Sequence, residues 1–176
     1  MKYYTLIGSR STPEEVYQLL VKIAVKLKSE GWVVRSGGAD GADSAAEEAC
    51  KNENMNIYLP WNNFNSRYSE ERVYIVSDKL SNYSKAQQIA SETHPAWDRC
   101  SRGAKSLHTR NVYQIFGSSL DKPSKFVICY AEPSGKKGHV KGGTATAVKL
   151  ALNNDIKVYN LWYEETRQKM IKWLEK

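Results

Sequence analysis

Apolar positions along the chain alternate between short β-rich runs and longer stretches with helical spacing. Residues 3–7 are aromatic or aliphatic except for Thr5 and stop at Gly8-Ser9-Arg10, the pattern of a buried strand entering a turn. Val16, Leu19, Leu20, Ile23, Ala24 and Leu27 then recur at three- and four-residue intervals, and Gly31 closes the run. Ahead of it, Thr12, Pro13 and Glu15 read as N-cap, first-turn proline and capping-box acid. Residues 32–36 predict a second strand, 37–43 a glycine-rich turn, 44–51 an alanine-rich helix, and 56–60 a third strand ended by its proline.

Strand, helix, strand, helix, strand in about 60 residues, with connections too long for hairpins, calls for right-handed crossovers. The fold class is therefore α/β: a Rossmann-like, doubly wound, mainly parallel sheet with helices on both faces. Residues 61–105 are polar and aromatic and read as a helical insertion, with helical patterns at 69–79 and 84–92. The regular rhythm returns with a helix through Asn111, Val112, Ile115 and Phe116, a strand at 125–130, and a glycine- and lysine-rich loop at 133–143. A helix at 144–153, a strand at 156–160 and a closing helix at 164–175 complete the chain. No linker or repeat interrupts it, and 176 residues suit one domain spanning 1–176.

Composition narrows the class further. Apolar residues at 41% and charged residues at 26% exclude a disordered or collagen-like chain. No apolar run approaches the roughly 18 residues of a membrane span, so a cytoplasmic location is expected, without membrane partners. Cys50, Cys100 and Cys129 form no C-x-x-C pair and have no histidine at a zinc-ligand spacing, so neither a disulfide framework nor a metal site is expected. The net charge of +7 is uneven: residues 1–88 hold 11 basic and 11 acidic side chains, whereas 89–176 hold 15 and 8. Between Arg99 and Lys141 nine basic residues face only Asp121 and Glu132, an imbalance that attracts phosphates.

Three glycine-bearing turns fall at predicted carboxyl ends of strands: Gly8-Ser9-Arg10, Gly37-Gly38-Ala39-Asp40-Gly41 and Gly142-Gly143-Thr144. In a parallel sheet these ends share one edge, and glycine there lets backbone N–H groups approach a phosphate at a helix N-terminus. Asp40 and Asp43, three apart at a helix start, are candidates for capping or for a ribose hydroxyl. Arg10 and Arg110 are candidates to fork onto phosphate oxygens. Asn111 can reach a base or cap its own helix. Trp61, Tyr68 and Trp97 are available for stacking on a base. His94 and His108 have no carboxylate or nucleophile at a defined spacing, and a structural role is the better reading. Glu132 and, behind it, Asp40 are the lone carboxylates available if an N-glycosidic bond is cleaved.

These residues resemble a known group. Gly8-Ser9-Arg10, then Ser36-Gly37-Gly38-Ala39-Asp40-Gly41-Ala42-Asp43, then Arg110-Asn111, and finally Gly142-Gly143-Thr144-Ala145-Thr146-Ala147 with residues 156–160 are similar, in that order, to the SLOG superfamily of Rossmann-like nucleotide-binding domains. That superfamily includes the DNA-processing protein A family, the LOG phosphoribohydrolases and small stand-alone members, some encoded by phages. The resemblance implies a pocket for a nucleotide-derived small molecule lined by the first, second and last turns, with no cofactor. The phosphoribohydrolases carry a glutamate after their last glycine turn, whereas Gly142-Gly143-Thr144 is followed by Ala147 and Lys149. Binding without hydrolysis is accordingly expected, as a sensor or sequestering protein. Single-stranded DNA, as bound by DNA-processing proteins, is the alternative partner, and nucleotide N-glycosidic chemistry a third reading. Five tryptophans and eleven tyrosines suggest aromatic surface beyond one core, hence a homo-oligomer.

Overall fold

A computed structural model describes all 176 residues. Six strands form one sheet: β1 (Lys2–Gly8), β2 (Trp32–Ser36), β3 (Met55–Leu59), β4 (Tyr74–Val76), β5 (Phe126–Tyr130) and β6 (Lys157–Asn160). Their order is β4-β3-β2-β1-β5-β6, and every neighbouring pair is parallel. Six helices accompany them: α1 (Glu14–Ser29), α2 (Ala42–Cys50), α3 (Tyr83–Thr93), α4 (Arg102–Phe116), α5 (Ala145–Asn153) and α6 (Glu164–Leu174). This is the doubly wound α/β arrangement, with the strand order reversing between β1 and β5.

Strand side chains alternate between two cores, as the two-residue period of a strand requires. Tyr4, Leu6, Val34, Ile57 and Leu59 pack with α1, α2 and α6, while Ile7, Tyr58, Val127 and Cys129 pack with α3, α4 and α5. Both sheet faces are covered, which is why the strands read as nearly continuous apolar runs. No helix is long and apolar enough to cross a membrane.

Two polar strand residues look out of place until the end of α4 is considered. Arg35 is 2% exposed, and its Nη1 donates to the carbonyls of Ile115 (3.3 Å) and Lys122 (2.6 Å) and to Ser124 Oγ (3.2 Å). Thr5 donates its hydroxyl to the Gln114 carbonyl (2.6 Å). The last turn of a helix has carbonyls without intrahelical partners and a negative dipole end, so a buried guanidinium there is both a cap and a countercharge. Gly117 follows with φ +80°, and a β-carbon on it would collide with Arg35.

The structure departs from the sequence expectations at three places. Thr12 is not the N-cap of α1: its hydroxyl donates to the Ser9 carbonyl (2.6 Å), drawing the loop back, and Pro13 occupies the cap position while Glu14 and Glu15 face the helix dipole. The helix expected at 69–79 is absent. That stretch holds a turn closed by Glu70 and Tyr74, then β4, which pairs with β3 through Ile57↔Tyr74, so edge pairing outweighs local pattern and the insertion is not purely helical. Finally α4 begins well before its apolar residues, because Ser101 caps it by accepting the Ala104 N–H (3.1 Å).

Replacing Arg35 with Ala removes the charged donor to the Lys122 carbonyl and leaves the Ile115 carbonyl with the Ser124 N–H alone, and the expected cost is about 2–3 kcal/mol. Urea unfolding should show the midpoint lowered with the slope unchanged.

Candidate functional site

Where the strand order reverses, the chain leaves β1 and β5 toward helices on opposite faces of the sheet and a cavity of about 450 Å³ opens. Ile7, Gly8, Ser9 and Arg10 come from the end of β1, and Ala39 and Asp43 from the turn into α2. Leu107, Arg110, Asn111 and Gln114 form one face of α4, while Ala131, Glu132 and residues 141–144 close the far side.

Two buried charges make the floor. Asp43 is 4% exposed and accepts the N–H groups of Gly8 (3.3 Å) and Ala39 (3.4 Å). Arg110 is 6% exposed and donates Nη1 to the carbonyls of Gly37 and Tyr58 (3.1 Å) and Nε to Asn111 Oδ1 (3.1 Å). Asn111 passes the chain on, donating Nδ2 to the Gly143 carbonyl (2.6 Å). Hydrogen bonds therefore run from the ends of β2 and β3 to the glycine loop before α5.

Burial pushes the Asp43 carboxyl up to about 6, against the pull of Arg110 and the two N–H groups. Burial likewise lowers Arg110 to about 10, which leaves it cationic at neutral pH. His108, two residues before Arg110 on α4, is pushed down to about 4 by burial, with His94 and Arg110 adding to the effect.

Most of the residues singled out in the sequence meet at this cavity: Gly8, Ser9, Arg10, Ala39, Asp43, Arg110, Asn111, Glu132, Gly142, Gly143 and Thr144. Gly37, Gly38, Asp40 and Trp61 do not line it. Gly37 lies under the floor, hemmed in by Gln114, Arg110 and Asp43. Gly38, at φ +72°, turns its missing side chain toward Leu59, Arg67 and Ile57, so a larger residue there would disturb the core and not a ligand. A β-carbon on Gly143, as on its neighbour Gly142, would meet open space. Asp40 is exposed and accepts from Asn65 Nδ2 (2.9 Å).

Asp40 and Trp61 line a neighbouring depression of about 260 Å³ together with Phe64 and Asn65, and this depression shares Arg10 and Ala39 with the cavity. Trp61 is 38% exposed and stands edge-on to Phe64. Glu132 is exposed and paired with Lys141 at 3.3 Å.

Five lining residues are not singled out by the sequence as ligand contacts: Leu107, Gln114, Lys141, Ile7 and Ala131. The signal for the first two was present, since 107, 110, 111 and 114 follow helical spacing and Arg110-Asn111 had already been singled out. Gln114 is 2% exposed and its Oε1 is buried without a partner.

Residues 1–118, from β1 through α4, match the family model described as DNA recombination-mediator protein A. The chain belongs to that family. The match contains the first two glycine turns and Arg110-Asn111, while the Gly142–Thr144 turn lies beyond it. Two solved structures of DNA processing protein A are similar. One, from Helicobacter pylori, described for its single-stranded DNA binding mode, is 18% identical, with 99% of this chain and 80% of that chain covered and a TM-score of 0.41. The other, from Streptococcus pneumoniae, is 15% identical, with a TM-score of 0.49, and the 97% of this chain that aligns spans 56% of it. No curated protein matches the sequence.

The buried floor of the cavity sets a pH dependence of stability. Asp43 holds its proton more tightly folded than unfolded, so between about pH 4 and 6 the folded state binds more protons and this group adds stability on acidification. His108 acts oppositely, being harder to protonate when folded. The stability of the native chain minus that of Asp43→Asn should therefore rise as pH falls from 6 to 4, measured by urea unfolding at each pH. A difference that stays flat would refute the buried carboxyl.

Proposed function

We propose that this domain binds single-stranded DNA across the reversal in strand order, with phosphates in the glycine-lined cavity and a base on Trp61. The observation that carries the reading is that Arg10 belongs to both depressions. A phosphate near Arg10 would have the cationic, glycine-rich cavity on one side and a half-exposed indole on the other. Such alternation of charge and stacking face is how single strands are held without sequence reading. Arg10 provides an exposed cationic side chain at the wall, and membership of a DNA recombination-mediator family supports the choice of polymer.

Fluorescence anisotropy with a labelled thymidine oligonucleotide tests this at two salt concentrations. Arg10→Ala should weaken binding by about 1.5–3 kcal/mol and lower the salt slope by about one. Trp61→Ala should cost about 1–3 kcal/mol with the slope unchanged. Native affinity in both variants would defeat the proposal.

A second reading, a single nucleotide-derived molecule held inside the cavity by a sensor or sequestering protein, is favoured by one observation. The buried Oε1 of Gln114 has no partner and offers an acceptor to a ligand donor. The volume is within the usual range for small-molecule pockets of about 300–1,000 Å³. In this case Gly143→Val abolishes uptake of a nucleoside monophosphate in calorimetry, and salt has little effect. N-glycosidic chemistry is the least supported reading, because Glu132 is paired with Lys141 and Asp40 lies outside the cavity.

A further inference from the structure

Behind the cavity wall, the fold assembles three side chains that the linear sequence keeps apart. His94 follows the last residue of α3, Cys100 ends the single helical turn Trp97–Arg99, and His108 lies midway along α4. Because α3 packs along α4, one ring nitrogen of each histidine and the Cys100 sulfur all lie within 4.8 Å of one another. Cys100 Sγ is 3.9 Å from His94 Nδ1 and 3.8 Å from Nε2, and the two imidazole centroids are 4.4 Å apart. All three residues are partly accessible, and Cys100 is the one cysteine that is not buried.

We propose that His94, Cys100 and His108 form a binding site for a zinc-class divalent ion, with water as the fourth ligand. Two imidazoles and a thiolate are a donor set suited to a borderline-soft ion, and a poor one for magnesium or calcium. At metal–ligand bonds of about 2.0–2.3 Å, tetrahedral ligand atoms stand roughly 3.3–3.8 Å apart. The Cys100–His94 separation is already at that limit, and the remaining gaps close by movements of about an ångström.

A further contact outside the trio supports the assignment. Thr146 Oγ1 lies 2.8 Å from His108 Nδ1, so that nitrogen is engaged and Nε2 is the one left for the ion, an outer-shell arrangement typical of metal-bound histidine. His94 Nδ1 accepts the Ala96 N–H at 3.0 Å. An ion taking that lone pair displaces the Ala96 bond, so the connection 95–100 is the part that adjusts. The site then ties the insertion to α4 two residues before Arg110, and through Thr146 to α5 two residues after Thr144 of the cavity lining. Its consequence is a stiffer cavity wall.

Titration of the reduced, metal-free full chain with Co²⁺ provides the test. The native protein should take up one equivalent, with a thiolate-to-cobalt charge-transfer band in the near ultraviolet and the visible bands of a tetrahedral ion. Zn²⁺ should displace it. Cys100→Ser should lose the charge-transfer band, and His108→Ala should weaken uptake at least tenfold, each with a native far-ultraviolet circular dichroism spectrum. Zn²⁺ should also slow alkylation of Cys100 in the native protein, a readout that needs no variant. Absence of the band in the native protein at micromolar cobalt, its survival in Cys100→Ser, or equal alkylation rates with and without zinc would each overturn the site.

Discussion

Amide and carbonyl groups at the carboxyl ends of three adjacent strands are buried where the strand order reverses, and two opposite charges satisfy them. Asp43 takes the N–H groups of Gly8, at the end of β1, and of Ala39. Arg110 gives hydrogen bonds to the carbonyls of Gly37, just past β2, and Tyr58, in β3. The two residues come from helices on opposite faces of the sheet, so this exchange sets where α2 and α4 sit relative to the strand ends. Deleting either residue would leave buried N–H or carbonyl groups without a partner, typically at a cost of about 1–3 kcal/mol.

The same pair adds little net stability when intact. Burial raises the Asp43 carboxyl to about 6 even with Arg110 nearby, so desolvation outweighs the attraction the ion receives. Its value lies in geometry. The guanidinium cannot leave the floor without exposing two carbonyls, and Asn111, held by it, positions the Gly143 carbonyl. The glycine loop is thereby anchored to the sheet by side chains as well as by its own backbone, which leaves Gly143 facing open space in a fixed place.

The insertion between β3 and α4 serves the same edge. It supplies Trp61 and Phe64 beside Arg10, a sixth strand that covers β3, and α3, which braces α4. Gly41, at φ +78°, lets the β1–α1 loop cross close over the start of α2, since a β-carbon there would strike the Ser9 carbonyl. Backbone and insertion together therefore bring Arg10 to the boundary between the two depressions.

Local pattern alone carried the three N-terminal strands, α1, α3, α5, α6 and the last two strands to within a few residues, because each buries a periodic apolar face that a short window reveals. It also identified most of the cavity lining, since glycine turns at strand ends converge on one edge in any parallel sheet. What it missed depends on partners distant in the chain. β4 exists because β3 offers an unpaired edge, and residues 69–79 read helical without it. Gly38 faces the core and Gly143 faces open space although both are turn glycines, and that difference is set by what packs against them. Likewise His94, Cys100 and His108 have no meaningful spacing until α3 lies against α4. Residue type and period determine the elements and the edge at which chemistry is possible; contact between elements far apart in sequence decides which side chains meet there.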